Sequence, residues 1–218
     1  MISTFLNKMQ HEDLILFFNG WGMDHTRFAE WSCGPYDVLA VHDFAQLETL
    51  PDVSGYTRIH LIAWSLGVWV AAKLLADTKV VHQLSTSLAI NGTLNPIDAK
   101  DGIPPEIFDG TIENWEDVCA REKFGLRVSG TTESLTLRSP ENQHVELLAM
   151  HQLIKASPPP RNIFSTALIG TRDRIFSPGA QRHFWSQCEG VTIIEKPILH
   201  DPFVNLKSWE VVLALSKT

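Results

Sequence analysis

Residues 58–72 join a strand-like segment directly to a helix-like segment, and a serine stands at the junction. The part before Ser65 is apolar and β-prone, and the part after it contains good helix formers. Gly67 follows the serine by two residues and is small enough to let the helix pack closely against the strand. Ala63 precedes it by two, so the motif is A-x-S-x-G, one methyl group away from G-x-S-x-G. The stretch predicts a nucleophile elbow, a turn that exposes a serine hydroxyl at the end of a parallel sheet.

A glycine-containing loop follows an earlier apolar segment. Residues 14–18 form a continuous apolar run, which is typical of a strand buried on both faces. Two glycines within residues 19–24 allow unusual backbone angles there. An oxyanion hole next to a nucleophile elbow takes one N–H from such a loop and one from the residue after the serine. We therefore expect the N–H groups of Trp21 and Leu66 to form it, although residues 19–24 alone are equally compatible with a plain tight turn.

Apolar strand-like runs alternate with helix-like segments along most of the chain. This alternation predicts a single α/β domain over residues 1–218, with a mostly parallel central sheet flanked by helices. The predicted strands are residues 14–18, 36–41, 58–63, 84–91, 163–169 and 191–195.

The alternation stops between residues 95 and 160. No strand pattern is evident there, and residues 106–108, 112–124 and 141–156 read as helices. A long helical segment inserted between two strands of a parallel sheet is typical of a lid over an active site. We therefore expect a helical lid insert over residues 95–160.

An aspartate and a histidine follow the last two predicted strands. Ser65, Asp173 and His200 occur in the order Ser, Asp, His that the fold with a nucleophile elbow uses. A serine hydroxyl needs a neighbouring base to take its proton, and an aspartate holds the imidazole of that base in the required tautomer. The sequence therefore predicts a catalytic triad. Asp43 and Asp201 remain alternatives for the acid, because each also lies in a predicted loop.

Composition narrows the classes of function. The formal charge of −7 over 218 residues does not favour binding to nucleic acid or to an anionic membrane. The chain has no apolar run long enough for a membrane span and no pattern of a signal peptide, so the cytoplasm is expected. The three cysteines are widely separated and do not predict a disulfide framework. The histidines lack the spacing of metal ligands, so no metal site is predicted.

Several motifs together resemble one family of α/β-hydrolases. Residues 17–24 (FFNGWGMD) and 62–67 (IAWSLG) carry most of the resemblance, and residues 170–173 (GTRD) and 200–203 (HDPF) match its acid and base segments. On these motifs the chain resembles the BioG-type pimeloyl-[acyl-carrier protein] methyl ester esterases of biotin synthesis. It also resembles the BioH-type esterases, which perform the same reaction. Leu199 departs from the wider pattern, in which a glycine often precedes the base.

The resemblance implies a specific reaction. Ser65 would attack the methyl ester at the far end of a pimeloyl chain carried by acyl carrier protein, and methanol would leave. Water activated by His200 would then release pimeloyl-acyl carrier protein, without any cofactor or metal. The alternatives are a broad small-ester carboxylesterase or acyl thioesterase, and a non-catalytic binding protein with the same fold.

Acyl carrier protein is acidic, so basic residues of the insert are the candidates for docking it. The resemblance and the charge pattern nominate Arg121, Lys123, Arg127, Arg138 and Lys155. Acidic residues are interleaved with them, so an ordinary solvated charged face is the alternative.

Overall fold

The computed structural model describes residues 1–204 and 206–216, and a seven-stranded sheet forms its centre. The strands are β1 (Ile2–Asn7), β2 (Asp13–Phe18), β3 (Tyr36–His42), β4 (Arg58–Trp64), β5 (Leu84–Ile90), β6 (Thr166–Gly170) and β7 (Thr192–Lys196). Their order in the sheet is β1-β3-β2-β4-β5-β6-β7. All neighbours pair in parallel except β1, which is antiparallel to β3. The predicted α/β-hydrolase fold with a mostly parallel sheet is confirmed.

The sheet is buried on both faces because its central strands carry apolar side chains in both directions. In β2, Leu14, Leu16 and Phe18 belong to the hydrophobic cluster on one face. Ile15 and Phe17 belong to the cluster on the other face. All five are fully buried. A parallel sheet covered by helices on both sides requires this continuous apolar pattern rather than alternation.

Within the described residues, six α-helices accompany the sheet. They are α1 (Leu66–Leu75), α2 (Pro105–Glu113), α3 (Val118–Val128), α4 (Pro140–Ala156), α5 (Pro178–Trp185) and α6 (Trp209–Ala214). Short 3-10 helices occupy Thr26–Phe28 and Lys79–Gln83. No helix in the described ranges combines the length and the apolar character that crossing a bilayer requires.

The three helices α2, α3 and α4 all lie between β5 and β6, where the sequence predicts helices. The prediction of one helix over residues 112–124 is wrong, because the helical conformation ends at Glu113 and begins again at Val118. Asp117 causes this break by capping α3: its carboxylate accepts hydrogen bonds from the N–H groups of Cys119 and Ala120. Ser139 caps α4 in the same way, accepting from the N–H of Asn142.

Two ends of the chain also differ from the prediction. The edge strand β1 was not predicted, because its residues are only partly buried and its pattern is weak. At the other end, the sequence pattern predicts a helix over residues 206–215, whereas α6 begins only at Trp209.

Candidate active site

Ser65 lies at a strained turn between β4 and α1. Its backbone has a φ of 58° and a ψ of −130°, a conformation that costs free energy in a residue other than glycine. The turn is fixed by a 2.9 Å hydrogen bond from the Ser65 N–H to the carbonyl of Ile90. A Cβ atom on Gly67 would lie 2.7 Å from the carbonyl oxygen of Phe18. Only glycine therefore lets α1 start this close to β2, and the predicted elbow geometry is present.

The structure brings Ser65, His200 and Asp173 together at the carboxyl edge of the sheet. The Ser65 Oγ lies 2.9 Å from His200 Nε2, and His200 Nδ1 lies 2.9 Å from Asp173 Oδ2. An ionised carboxylate only accepts hydrogen bonds, so Nδ1 carries the proton in this arrangement and Nε2 is left to accept the serine hydroxyl. All three residues are buried. The arrangement can move a proton from the serine to the imidazole.

The carboxylate of Asp173 is held on both of its oxygens. Oδ1 accepts from the N–H groups of Ile175 at 2.7 Å and Phe176 at 3.1 Å. Oδ2, which faces His200, also accepts from the side-chain amide of Gln181 at 3.1 Å. Gln181 is fully buried on α5, and sequence reasoning did not identify it. No short motif marks a glutamine that reaches the acid from a following helix.

The two alternative acids are bound elsewhere. Asp43 follows β3, and its Oδ1 lies 3.1 Å from the guanidinium of Arg138. Asp201 forms an ion pair of 2.9 Å with Arg27. Among the described residues, only Asp173 has a carboxylate hydrogen-bonded to His200.

The backbone of His200 is held by two side chains that the sequence analysis missed. The side-chain amide of Asn91 donates to the carbonyl groups of Leu199 at 2.9 Å and His200 at 2.8 Å. The indole N–H of Trp64 also donates to the His200 carbonyl, at 2.8 Å. Asn91 follows β5 and has a φ of 47°. Its side-chain oxygen accepts from the N–H of Gly170, at the end of β6, so Asn91 links the ends of β5 and β6 to the segment after β7. These bonds fix the backbone before the base although Leu199 replaces the usual glycine.

Trp21 and Leu66 lie beside Ser65, as expected for oxyanion donors. Both line the same cavity as the serine. Within residues 1–204 and 206–216, no acceptor is hydrogen-bonded to the backbone N–H of either residue. Buried N–H groups are almost always paired, so two unpaired ones next to a nucleophile are available to a developing oxyanion.

A cavity that is open to solvent lies directly above Ser65. Its wall is mostly apolar and comes largely from the residues between β5 and β6, including Ile103, Ile107, Phe108, Phe124, Val128 and Leu147. Two cations, Arg127 and Arg174, also line it. Arg174 directly follows the acid and was not singled out in the sequence. The cavity therefore suits an apolar chain with a polar end.

The nominated docking residues do not all reach the surface. Lys123, Arg127 and Lys155 are exposed. The guanidinium of Arg121 is engaged by backbone carbonyl groups at 2.7 and 2.9 Å. The side chain of Arg138 is only 10% exposed, because it is paired with Asp43 and a buried glutamate. Arg138 therefore has little exposed surface to offer to a docking partner.

The described part of the chain contains no group of three or more histidine, cysteine, aspartate or glutamate side chains placed to hold a metal ion. Its three cysteines are not linked to one another.

Relatives were found by sequence. A protein of Bacteroides fragilis named malonyl-[acyl-carrier protein] O-methyltransferase is 36% identical over 186 residues. This match covers 81% of the present chain but only 37% of that protein. A Haemophilus influenzae protein is 34% identical over 212 residues, which is 92% of the present chain and 94% of its own.

Solved structures agree with the fold. The crystal structure of BioG from Haemophilus influenzae matches with a TM-score of 0.86 and 31% identity, covering 97% of the present chain and 99% of that one. An enol-lactonase from Burkholderia xenovorans matches with a TM-score of 0.67 at 14% identity, a likeness of fold alone. The family model for the pimeloyl-ACP methyl esterase BioG matches residues 1–212. The chain belongs to the BioG family of α/β-hydrolases.

Proposed function

We propose that the protein is a cytoplasmic serine esterase of biotin synthesis. It hydrolyses the methyl ester of pimeloyl-acyl carrier protein methyl ester and releases methanol and pimeloyl-acyl carrier protein. One observation carries the proposal: Ser65, His200 and Asp173 form a continuous hydrogen-bonded chain with two contacts of 2.9 Å, in a member of this family.

Acylation begins when the Ser65 hydroxyl attacks the ester carbonyl. The proton moves from Oγ to His200 Nε2, which already lies within hydrogen-bonding distance. The carbonyl oxygen becomes an oxyanion, and the N–H groups of Trp21 and Leu66 stabilise it. Loss of one such donor typically raises the barrier by about 3 kcal/mol. Collapse of the intermediate expels methanol, which takes the proton from His200 and leaves an acyl-enzyme.

Deacylation repeats these proton-transfer and attack steps with water in place of the serine hydroxyl. His200 takes a proton from the water, the resulting hydroxide attacks the acyl-enzyme, and Ser65 regains its proton when it leaves. Asp173 stabilises the imidazolium in both halves, because its Oδ2 accepts the hydrogen bond of Nδ1–H. The product carries a free carboxylate in place of the methyl ester.

The cavity supports a substrate with an apolar acyl chain. A pimeloyl chain has only methylene groups between its ends, and the wall around Ser65 is mostly apolar. The segment 95–160, with α2, α3 and α4, acts as the lid in this proposal. The exposed Lys123, Arg127 and Lys155 of that segment attract the acidic carrier protein, although the whole chain is net negative.

The name of the Bacteroides relative supports the same class of substrate. That protein is named for O-methylation of a malonyl group on acyl carrier protein. Methylation of this kind makes the type of ester that the proposed reaction removes.

Growth without biotin tests the proposal. The gene is expressed in a bacterial strain that lacks its own pimeloyl ester esterase, beside the variant Ser65→Ala. Growth with the wild-type chain and none with the variant is expected. Wild-type protein that cleaves short model esters but does not restore growth would instead favour a broad carboxylesterase. Release of the acyl group from its carrier in vitro would favour a thioesterase.

A further inference from the structure

Helix α4 is hydrogen-bonded to the loop that carries Trp21. The indole N–H of Trp21 donates to the carbonyl of Gln143 at 2.8 Å. The side-chain amide of Gln143 donates to the carbonyl of Gly22 at 3.0 Å. The N–H of Gly22 in turn donates to Glu146 Oε2 at 3.1 Å. One turn of α4 therefore binds the side chain of Trp21 and both the N–H and the carbonyl of Gly22.

Glu146 joins this loop to the loop after β3. It is fully buried, and its second oxygen, Oε1, accepts from the N–H of Phe44 at 2.9 Å. The guanidinium of Arg138 donates to Glu146 and also lies 3.1 Å from Asp43. Burial raises the pKa of Glu146, while Arg138 and the two amide groups oppose that effect. A buried carboxylate with this full set of partners is a fixed point for both loops.

The geometry of the loop leaves little freedom at Trp21. Gly22 has a φ of 74°, and a Cβ atom there would lie 3.2 Å from the side-chain nitrogen of Gln143. The carbonyl of Gly20, on the other side, accepts from the N–H of Met23 at 3.3 Å. An oxyanion donor is effective only when it is aimed in advance at the position of the developing charge. Contacts that fix both neighbours of Trp21 therefore bear on the reaction itself.

We propose that Gln143 and Glu146, with Arg138, are positioning residues that aim the backbone N–H of Trp21 at the oxyanion. Within the lid over residues 95–160, helix α4 is then the part that is fixed to the catalytic centre. The inference rests on the proposed role of Trp21 as an oxyanion donor.

The contrasting explanation is that these contacts only stabilise the fold. The double variant Arg138→Met/Glu146→Leu separates the two. Each single substitution leaves a buried charge without its partner and is destabilising, whereas replacing both by apolar residues of similar size removes that penalty. The double variant still removes the acceptor of the Gly22 and Phe44 N–H groups.

Three quantities are measured on the full chain: the urea midpoint of unfolding, kcat and KM on a short p-nitrophenyl ester, and the rate at which a fluorophosphonate labels Ser65. We expect the double variant to have a higher urea midpoint than either single variant, but a lower one than wild type, because the Gly22 and Phe44 N–H groups lose their acceptor. Its kcat and labelling rate stay at least about tenfold below wild type, with KM changed by less than about twofold. The matched control is Arg182→Met/Glu195→Leu, which removes an exposed ion pair of 2.7 Å and leaves kcat unchanged.

A double variant that is more stable than both single variants and has the kcat of wild type overturns the inference. If the double variant does not fold, the variant Gln143→Met tests the inference instead. This substitution removes only the bond to the Gly22 carbonyl and keeps the ion pair between Arg138 and Glu146. A fall in kcat of at least about threefold at constant KM supports positioning, and an unchanged kcat overturns it. A wild-type protein that neither hydrolyses the ester nor labels at Ser65 would contradict the proposed function instead.

Discussion

The side-chain amide of Gln181 donates a 3.1 Å hydrogen bond to the Asp173 oxygen that faces the base. The same nitrogen donates to the carbonyl of Phe176 at 2.9 Å. Both neighbours only accept, so the nitrogen of the amide, and not its oxygen, faces the acid. Because Gln181 is fully buried, no water competes for these contacts. Gln181 therefore fixes the orientation of the acid that orients His200.

Replacing Gln181 by residues of similar size should lower activity without unfolding the protein. Gln181→Met removes the bond to Asp173, and we expect kcat to fall by about ten- to a hundredfold, because a bond to a charged group contributes about 1.5–3 kcal/mol. Gln181→Glu should lose further activity as the pH rises, since ionisation of the introduced carboxyl faces Asp173 with a second negative charge. Steady-state kinetics across pH measure both effects. Gln187→Met, an exposed position just beyond α5, is the control and should behave as wild type.

The identity of the acid is testable with three isosteric changes. Asp173→Asn should lower kcat by about ten thousandfold, since an amide favours the wrong tautomer of the base. Asp43→Asn and Asp201→Asn should have much smaller effects, because those carboxylates face arginines rather than His200. Equal losses in Asp201→Asn and Asp173→Asn would show that the acid has been assigned wrongly.

The elbow should not tolerate a methyl group at Gly67. In Gly67→Ala the new Cβ would lie 2.7 Å from the carbonyl oxygen of Phe18, so strand and helix must separate. We expect a loss of about 1–3 kcal/mol in the free energy of unfolding, the usual cost of overpacking. Urea denaturation provides the measurement. Gly55→Ala has no atom within 4 Å of the new Cβ and should leave stability nearly unchanged.

His42 should make the fold sensitive to acid. Burial and the charges of His25 and Arg138 lower the pKa of His42 from 6.5 to about 4. At pH values between about 4 and 6.5, His42 is protonated in the unfolded chain but not in the folded chain. The free energy of unfolding therefore falls as the pH drops through this range. The loss from this one residue amounts to roughly 3 kcal/mol.

The free energy of unfolding, measured by urea denaturation at neutral pH and near pH 4, checks this effect of His42. In His42→Gln the free energy of unfolding should depend less on pH than in wild type. The control His82→Gln changes an exposed histidine and should keep the wild-type dependence. A wild-type protein equally stable at both pH values would refute the prediction.

Local patterns were sufficient for strands β2 to β7, although not for the edge strand β1, and for the triad residues at the carboxyl edge of the sheet. Continuous apolar runs such as residues 14–18 specify buried strands, and a parallel sheet places every strand's carboxyl end on one side. Ser65, Asp173 and His200 each follow such a strand, so their order along the chain already predicted that they meet. The family resemblance rested on the same segments.

Contacts between distant parts of the chain were not predictable in this way. Gln181 and Glu146 reach the site from helices whose packing no local pattern specifies. Asn91 follows a predicted strand, but no motif predicts its bonds to the backbone of Leu199 and His200. Glu146 and Arg138 looked like members of an interleaved charged face, yet Glu146 is fully buried and the side chain of Arg138 is only 10% exposed. The break before α3 depended on the capping aspartate at Asp117, whose effect competes with a continuous helical pattern.

The most direct test is the mass of the carrier protein after reaction in ¹⁸O-labelled water. Pimeloyl-acyl carrier protein methyl ester is incubated with the wild-type protein and with Ser65→Ala. With wild type, the methyl ester should become a carboxylate that contains one labelled oxygen, while the thioester remains intact. With Ser65→Ala the carrier should keep its mass. A carrier that is unchanged by the wild-type protein, or that loses its whole acyl chain, would contradict the account.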